Sequence, residues 1–178
     1  MQETPFHGDK RPGETGAPRI RAIGAFAIET GGRPIQNLSR KAKALIGYLA
    51  LAEGSCETRE RLVGLLWSES EEERARASLR QTLYEIREVL APFALSGLAA
   101  DKQTVALAWT AHVDALDAIA AAKAGAAPFA AGAAGDFAPS LLADLDGVDP
   151  AFDEWLAARR GNFRTALAAH LETALRAA

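Results

Sequence analysis

The chain has 178 residues, of which 49% are hydrophobic, with a formal net charge of −3 and a single cysteine, Cys56. That is enough apolar material for one good domain and a second, small one. It has no apolar run of membrane-spanning length, no signal-like stretch and no possible internal disulfide, so a cytoplasmic protein without a membrane partner is expected.

The charge is unevenly placed. Residues 1–112 carry 15 Lys and Arg against 14 Asp and Glu, and residues 113–178 carry 5 against 9. A near-neutral first part can still present a local basic face where its acids cluster elsewhere, and they cluster at Glu69, Glu71, Glu72 and Glu73.

Residues 1–18 are rich in Pro, Gly and charge without periodicity, which predicts a disordered tail. From Arg19 to Glu29, Ile20, Ala22, Phe26 and Ile28 fall on one face at period two, as a strand requires. Gly31-Gly32 supplies a tight turn into a short strand, Arg33–Gln36, whose Pro34 suits a sheet edge.

Ser39 then caps a helix running to about Ala52, with Ala42, Leu45, Ile46 and Leu49 as its buried stripe. Arg40, Lys41 and Lys43 lie in its first turns, where cations oppose the helix macrodipole. Either a phosphate backbone compensates them, or they are ordinary surface cations. Thr58 caps a second helix, Arg59–Trp67, burying Leu62, Leu65 and Leu66, with Trp67 a core residue at its end. In the following SESEEE, Ser70 and Glu73 have capping-box spacing; a partner-binding acidic loop is the alternative.

The stretch Glu71–Leu90, EEERARASLRQTLYEIREVL, places Ala75, Leu79, Leu83, Ile86 and Leu90 in one apolar stripe. The opposite face carries Arg74, Ala77, Ser78, Gln81, Tyr84 and Glu88, flanked by Arg76, Arg80 and Arg87. Long donors beside small residues suit a major groove. The plain alternative is a solvated amphipathic helix. Pro92 marks its end near Phe93. Leu98–Ala100 and Thr104–Trp109 then read as a hairpin about Asp101-Lys102-Gln103, with Val105, Leu107 and Trp109 on one face. Strands, three helices and a hairpin make an α+β winged helix-turn-helix with a leading β-sheet. Its third helix can enter a major groove while Lys102 at the hairpin tip meets a phosphate.

Past Ala111 the composition turns to alanine and acid. Val113, Leu116, Ile119 and Ala120 suggest a helix to Lys123, residues 124–138 a loop, and Ser140–Leu145 a short helix. Asp149-Pro150 is a helix start, after which Phe152, Trp155, Arg159, Phe163, Ala166, Leu167, His170, Leu171 and Leu175 follow one face. Helical repeats bury such faces against neighbours. The expected remedies are packing back over Val113–Lys123, further helices in a parent protein, or self-association as a homodimer, and self-association through Trp155, Phe163 and Leu171 is the one predicted.

The runs LSRKAKALIGYLAL and ETRERLVGLLWSESEEERARASLRQTLYEIREVL resemble the DNA-binding domain of SARP-type bacterial transcriptional activators, which carry an OmpR/PhoB-like winged helix. The most specific part is Leu65-Leu66-Trp67, the acidic loop and Ala75–Gln81, and the likeness covers about residues 19–110. More weakly, LLADLDGVDPAFDEWLAARRGNFR resembles the opening of the tetratricopeptide-like activation domain that follows in that family. The resemblance implies that 74–90 is the recognition helix, that tandem direct-repeat half-sites of double-stranded DNA are bound, and that Glu69, Glu71 and Glu72 contact RNA polymerase.

These readings divide the chain into a tail (1–18), a winged helix (19–110) and an all-α segment (111–178). Arg76, Ala77, Arg80, Gln81 and Tyr84 are expected to face bases, and Arg40, Lys41, Lys43, Arg87 and Lys102 phosphates. A rival is a winged helix without DNA binding that serves protein interaction, favoured by the near-neutral charge and by Glu85 and Glu88 on the reading face. No enzyme site, cofactor or metal is expected. Asp144-x-Asp146-Gly147 has Trp155 where a calcium loop needs Glu, His7, His112 and His170 lack zinc spacing, and Cys56 reads as a small packed side chain.

Overall fold

The computed structural model describes residues 17–95, 97–108, 110–125 and 140–177, without the side chains of 171 and 173–177. The tail to residue 16, Trp109 and the loop at 126–138 lie outside the described residues.

The expected first strand is two. β1 (Arg19–Arg21) and β2 (Ala27–Thr30) are antiparallel, Ile20 opposite Ile28, because Gly24 takes a φ of 81° and turns the chain between them. The turn keeps Ile20, Ala22, Phe26 and Ile28 on a common buried side. Gly31 and Gly32 (φ 55° and 73°) lead into β3 (Arg33–Ile35), an edge strand, so Pro34 costs no interior ladder bond.

α1 (Arg40–Leu51) is capped by Ser39, whose Oγ accepts from the Ala42 N–H at 3.2 Å. A short turn, Glu53–Ser55, leads to β4 (Cys56–Thr58), a strand not anticipated from the sequence. Thr58 caps α2 (Arg59–Leu66) through the Arg61 N–H at 3.2 Å. α3 (Glu72–Leu90) follows, then a 3₁₀ turn, Ala91–Phe93, carrying Pro92. β5 (Leu98–Ala100) and β6 (Thr104–Leu107) form the wing, and β4 joins them in a sheet of order β4-β6-β5. Cys56 lies exposed on that outer strand, not packed as expected. Together α1, α2, α3 and this sheet are a winged helix.

The predicted boundary at 110 cuts through the fold. β7 (His112–Val113) pairs in parallel with β1, completing a sheet of order β3-β2-β1-β7. α4 (Asp114–Lys123) starts at once, and the Asp114 carboxylate accepts from the backbone N–H groups of Ala22 (2.7 Å) and Ile23 (3.2 Å). Its buried side is Ala115, Ala118 and Ala122, while Leu116 is 42% exposed; the apolar phase expected for this helix is rotated. Small side chains let α4 lie close to its neighbours.

Residues 140–145 are turns, not the short helix expected. They are stitched to the first sheet by Gly24 N–H to Ser140 O (2.8 Å), Leu142 N–H to Ala22 O (2.7 Å) and Ala143 N–H to Gly24 O (2.7 Å). These bonds hold Leu142 in a left-handed conformation, φ 50°. Its side chain meets α1 at Gly47, where an added Cβ would stand 3.1 Å from Leu142 Cδ1. Gly47 is the site of close approach.

α5 (Pro150–Ala177) begins as predicted, with Asp149 Oδ1 accepting from the Ala151 N–H at 3.2 Å. Its first half is not left uncovered. Phe152 and Leu156 are fully buried, Phe163 is 5% exposed, and the half-buried Trp155 lies 4.8 Å from the Tyr48 ring and 5.3 Å from the Phe152 ring. The expected self-association through Trp155 and Phe163 is corrected accordingly: α1, α2 and α4 already cover that stripe, in one core that runs from Ile20 to Phe163. The Leu171 side chain lies outside the described residues.

Candidate nucleic-acid interface

α3 stands with one side in the core and the other in water. Ala75, Leu79, Thr82, Leu83, Ile86 and Leu90 are buried. Arg74, Arg76, Ala77, Arg80, Gln81, Tyr84, Arg87 and Glu88 are exposed, Tyr84 by 58%. Among the described residues the side chains of Arg74, Arg80 and Arg87 have neither a hydrogen bond nor an ion pair, and Arg76 pairs with Glu72 one turn before it. Exposed i,i+4 pairs of this kind are worth only about 0.3–0.5 kcal/mol, so Arg76 is readily released to another anion.

Glu85 is not on that face. Its carboxylate accepts the Ser39 backbone N–H (2.6 Å) and the Ser39 hydroxyl (2.9 Å), tying α3 to the start of α1. Of the two carboxylates expected beside the reading residues, only Glu88 remains exposed.

The wing tip lies across a cleft from the first turns of α3. The Asp101 carboxylate accepts from the N–H groups of Gln103 and Thr104, both at 2.7 Å, and from the Thr104 hydroxyl at 3.2 Å. The Thr104 and Gln103 N–H groups hold its pKa below the ordinary 3.8. This closed turn presents Lys102, exposed and unpaired among the described residues. The cleft, of ≈ 760 Å³, is lined by Arg59 from α2, Arg76 and Arg80 from α3, and Lys102, with Glu60 and Glu72 as its acids. Arg59 is the residue that sequence reasoning missed, because α2 was read only for its buried stripe.

The cations of α1 have other partners. Arg40 donates to the backbone oxygens of Asp144 (3.5 Å) and Asp146 (2.5 Å), and Lys43 pairs with Asp144 at 3.7 Å. Lys41 donates to Leu66 O, lies 3.4 Å from Asp149 Oδ2 and stands over the Trp67 ring. The anion that offsets their conflict with the helix dipole is thus the acidic segment 144–149 of the same chain. Arg40, Lys41 and Lys43, expected as phosphate contacts, each have a partner within the chain.

Glu69 and Glu71 are exposed between α2 and α3, and Glu72 is exposed as the first residue of α3. The expected Ser70–Glu73 capping box is absent: the cap position is Glu71, one residue late for that spacing, with no side-chain cap bond. The loop is anchored at its start instead. Asp149, 7% exposed, accepts the Ser68 hydroxyl (2.5 Å) and the Ser68 N–H (3.1 Å). Among the described residues no cluster of His, Cys, Asp and Glu could hold a metal ion, and no helix is long and apolar enough to cross a membrane.

The sequence matches no protein-family model and no curated protein. Among solved structures, EmbR from Mycobacterium tuberculosis in complex with a low-affinity phosphopeptide is similar, with a TM-score of 0.59 at 21% identity over 86% of this chain. The likeness is one of fold. This chain spans 45% of the EmbR chain. The winged helix followed by helices, expected from the SARP resemblance, is the arrangement both share.

Proposed function

We propose that the protein is a sequence-specific, double-stranded-DNA-binding regulator of transcription, an activator of the SARP type acting in the cytoplasm without chemistry of its own. One observation carries the reading: in α1 Lys41 and Lys43 pair with Asp149 and Asp144 and Arg40 is bonded to backbone oxygens, whereas the side chains of Arg74, Arg80, Arg87 and Lys102 stand unpaired among the described residues along α3 and the wing. Arg76, Ala77, Arg80, Gln81 and Tyr84 face the bases of a major groove, and Arg87 and Lys102 the phosphates. Tandem direct-repeat half-sites are the expected target. Selection of bound duplexes from a random library tests the reading; recovery of no enriched sequence overturns it.

The acidic loop is the proposed contact to RNA polymerase. Changing Glu69 and Glu71 together to Gln, with Glu72 left to Arg76, is expected to leave DNA affinity unchanged, because the anchor at Ser68 and the cleft are untouched. Transcription from a promoter carrying the selected site falls several-fold. Equal losses in affinity and transcription would assign these residues to folding or to DNA.

A second reading, a protein-interaction module, is favoured by the exposed carboxylates of the loop together with Glu88. It predicts binding to a protein partner that added duplex DNA does not displace.

A further inference from the structure

The cleft between α3 and the wing contains a cation the reading above does not use. Arg59 is the first residue of α2, and its backbone N–H donates to Gln103 O at 2.7 Å, so helix and wing turn are pinned together at this point. Its Nε is buried and has no hydrogen-bond partner among the described residues. An unsatisfied donor on a guanidinium is costly to leave in place, so turning the side chain out to an anion in the cleft relieves that cost. Arg80, on the opposite wall, and Lys102, at the rim, are unpaired as well. Glu60 and Glu72 are the acids of the lining; Glu72 is held by Arg76, and the Asp101 carboxylate of the wing turn, which also feels the Arg59 charge, is held by the Gln103 and Thr104 N–H groups.

Three cations from three different elements, converging on an open cleft, suit a ligand that is a chain of anions passing through. We propose that Arg59 is a DNA-backbone contact: with Lys102 it clamps the one sugar-phosphate strand that runs between the major groove entered by α3 and the adjacent groove reached by the wing, while Arg80 on the same cleft reaches past that strand to the base edges. This rests on the DNA reading, and adds that α2 takes part through its first residue. Because Arg59 is pinned to Gln103, the clamp also fixes how far the wing stands from α3. That separation sets the spacing between the two grooves, so Arg59 belongs to the docking of the domain and not to the choice of base.

The test uses the whole chain and duplexes carrying the selected site or random sequence, with binding measured by fluorescence anisotropy across a salt series. Arg59→Ala is expected to weaken both complexes by a similar factor, and to lower the slope of log affinity against log salt by about one unit. Arg59→Lys, which keeps the charge, restores most of that slope. A merely structural Arg59 predicts the opposite pattern: both variants lose melting temperature, and the slope does not move. Position on the strand is read with neutral methylphosphonates, substituted one phosphate at a time. At the phosphate held by Arg59 the modification and Arg59→Ala cost no more together than either alone. Full additivity at every position overturns the proposal. Arg59→Ala with unchanged affinity and slope also overturns it, and leaves the DNA reading standing if Arg80→Ala and Lys102→Ala still weaken binding. Failure of the unaltered chain to bind any duplex sinks the reading itself.

Discussion

Replacing Phe152 with Ala is expected to lower the stability of the whole chain by about 3–5 kcal/mol, the range for emptying a fully buried aromatic site. Phe152 is 0% exposed and lies within a core that also holds Leu45, Leu49, Leu62 and Ile86 of the winged helix. Asp149, three residues earlier, binds Ser68 of the α2–α3 loop and Lys41 of α1. The cavity therefore opens at the seam between the two parts, and neither part can keep its packing alone. Denaturant unfolding followed by both far-UV circular dichroism and tryptophan fluorescence should give one coincident transition, moved to lower denaturant with its slope retained. Two separate transitions, with only one displaced, would show that the helical segment folds independently.

Arg80→Ala is expected to cost about 1–3 kcal/mol on the selected DNA site and little on random duplex. Arg80 is exposed on the third turn of α3, its side chain has no partner among the described residues, and it lines the same cleft as Lys102. No internal contact has to be broken before it meets a base. Lys102→Ala, at the wing tip, weakens both duplexes alike and lowers the salt slope by about one unit. The contrast between the two variants is what separates a base reader from a phosphate contact. If Arg80→Ala weakens both duplexes equally, it joins Lys102 on the backbone.

The elements that bury a periodic stripe were legible in the sequence. Ser39, Thr58 and Asp149 cap α1, α2 and α5 as their residue types indicate, and the buried stripe of α3 adds only Thr82 to the predicted set. What escaped was short or non-local. β4 and β7 have three and two residues, too few to display a period, and exist through their partners β6 and β1. The intrachain partners of the α1 cations were not legible, because Asp144 and Asp149 lie more than 100 positions further along the chain. Glu85 was misjudged for the same reason: its partner Ser39 is 46 positions away. The reading face itself was visible because α3 supplies it from one continuous stretch, whereas Arg59 acquires meaning only when the wing is folded against α2.

The parallel pairing of β7 with β1 bears on any attempt to isolate the winged helix. His112 and Val113 cover the free side of β1 opposite Arg19 and Ile20, and Asp114 takes up the next two donors along, at Ala22 and Ile23. Cutting the chain after residue 110 strips both away. What remains is a row of unsatisfied amides beside an apolar strand, the kind of edge that recruits strands from other molecules. Such a fragment would tend to polymerise edge to edge, and its insolubility would reflect a lost neighbour, not a defective fold.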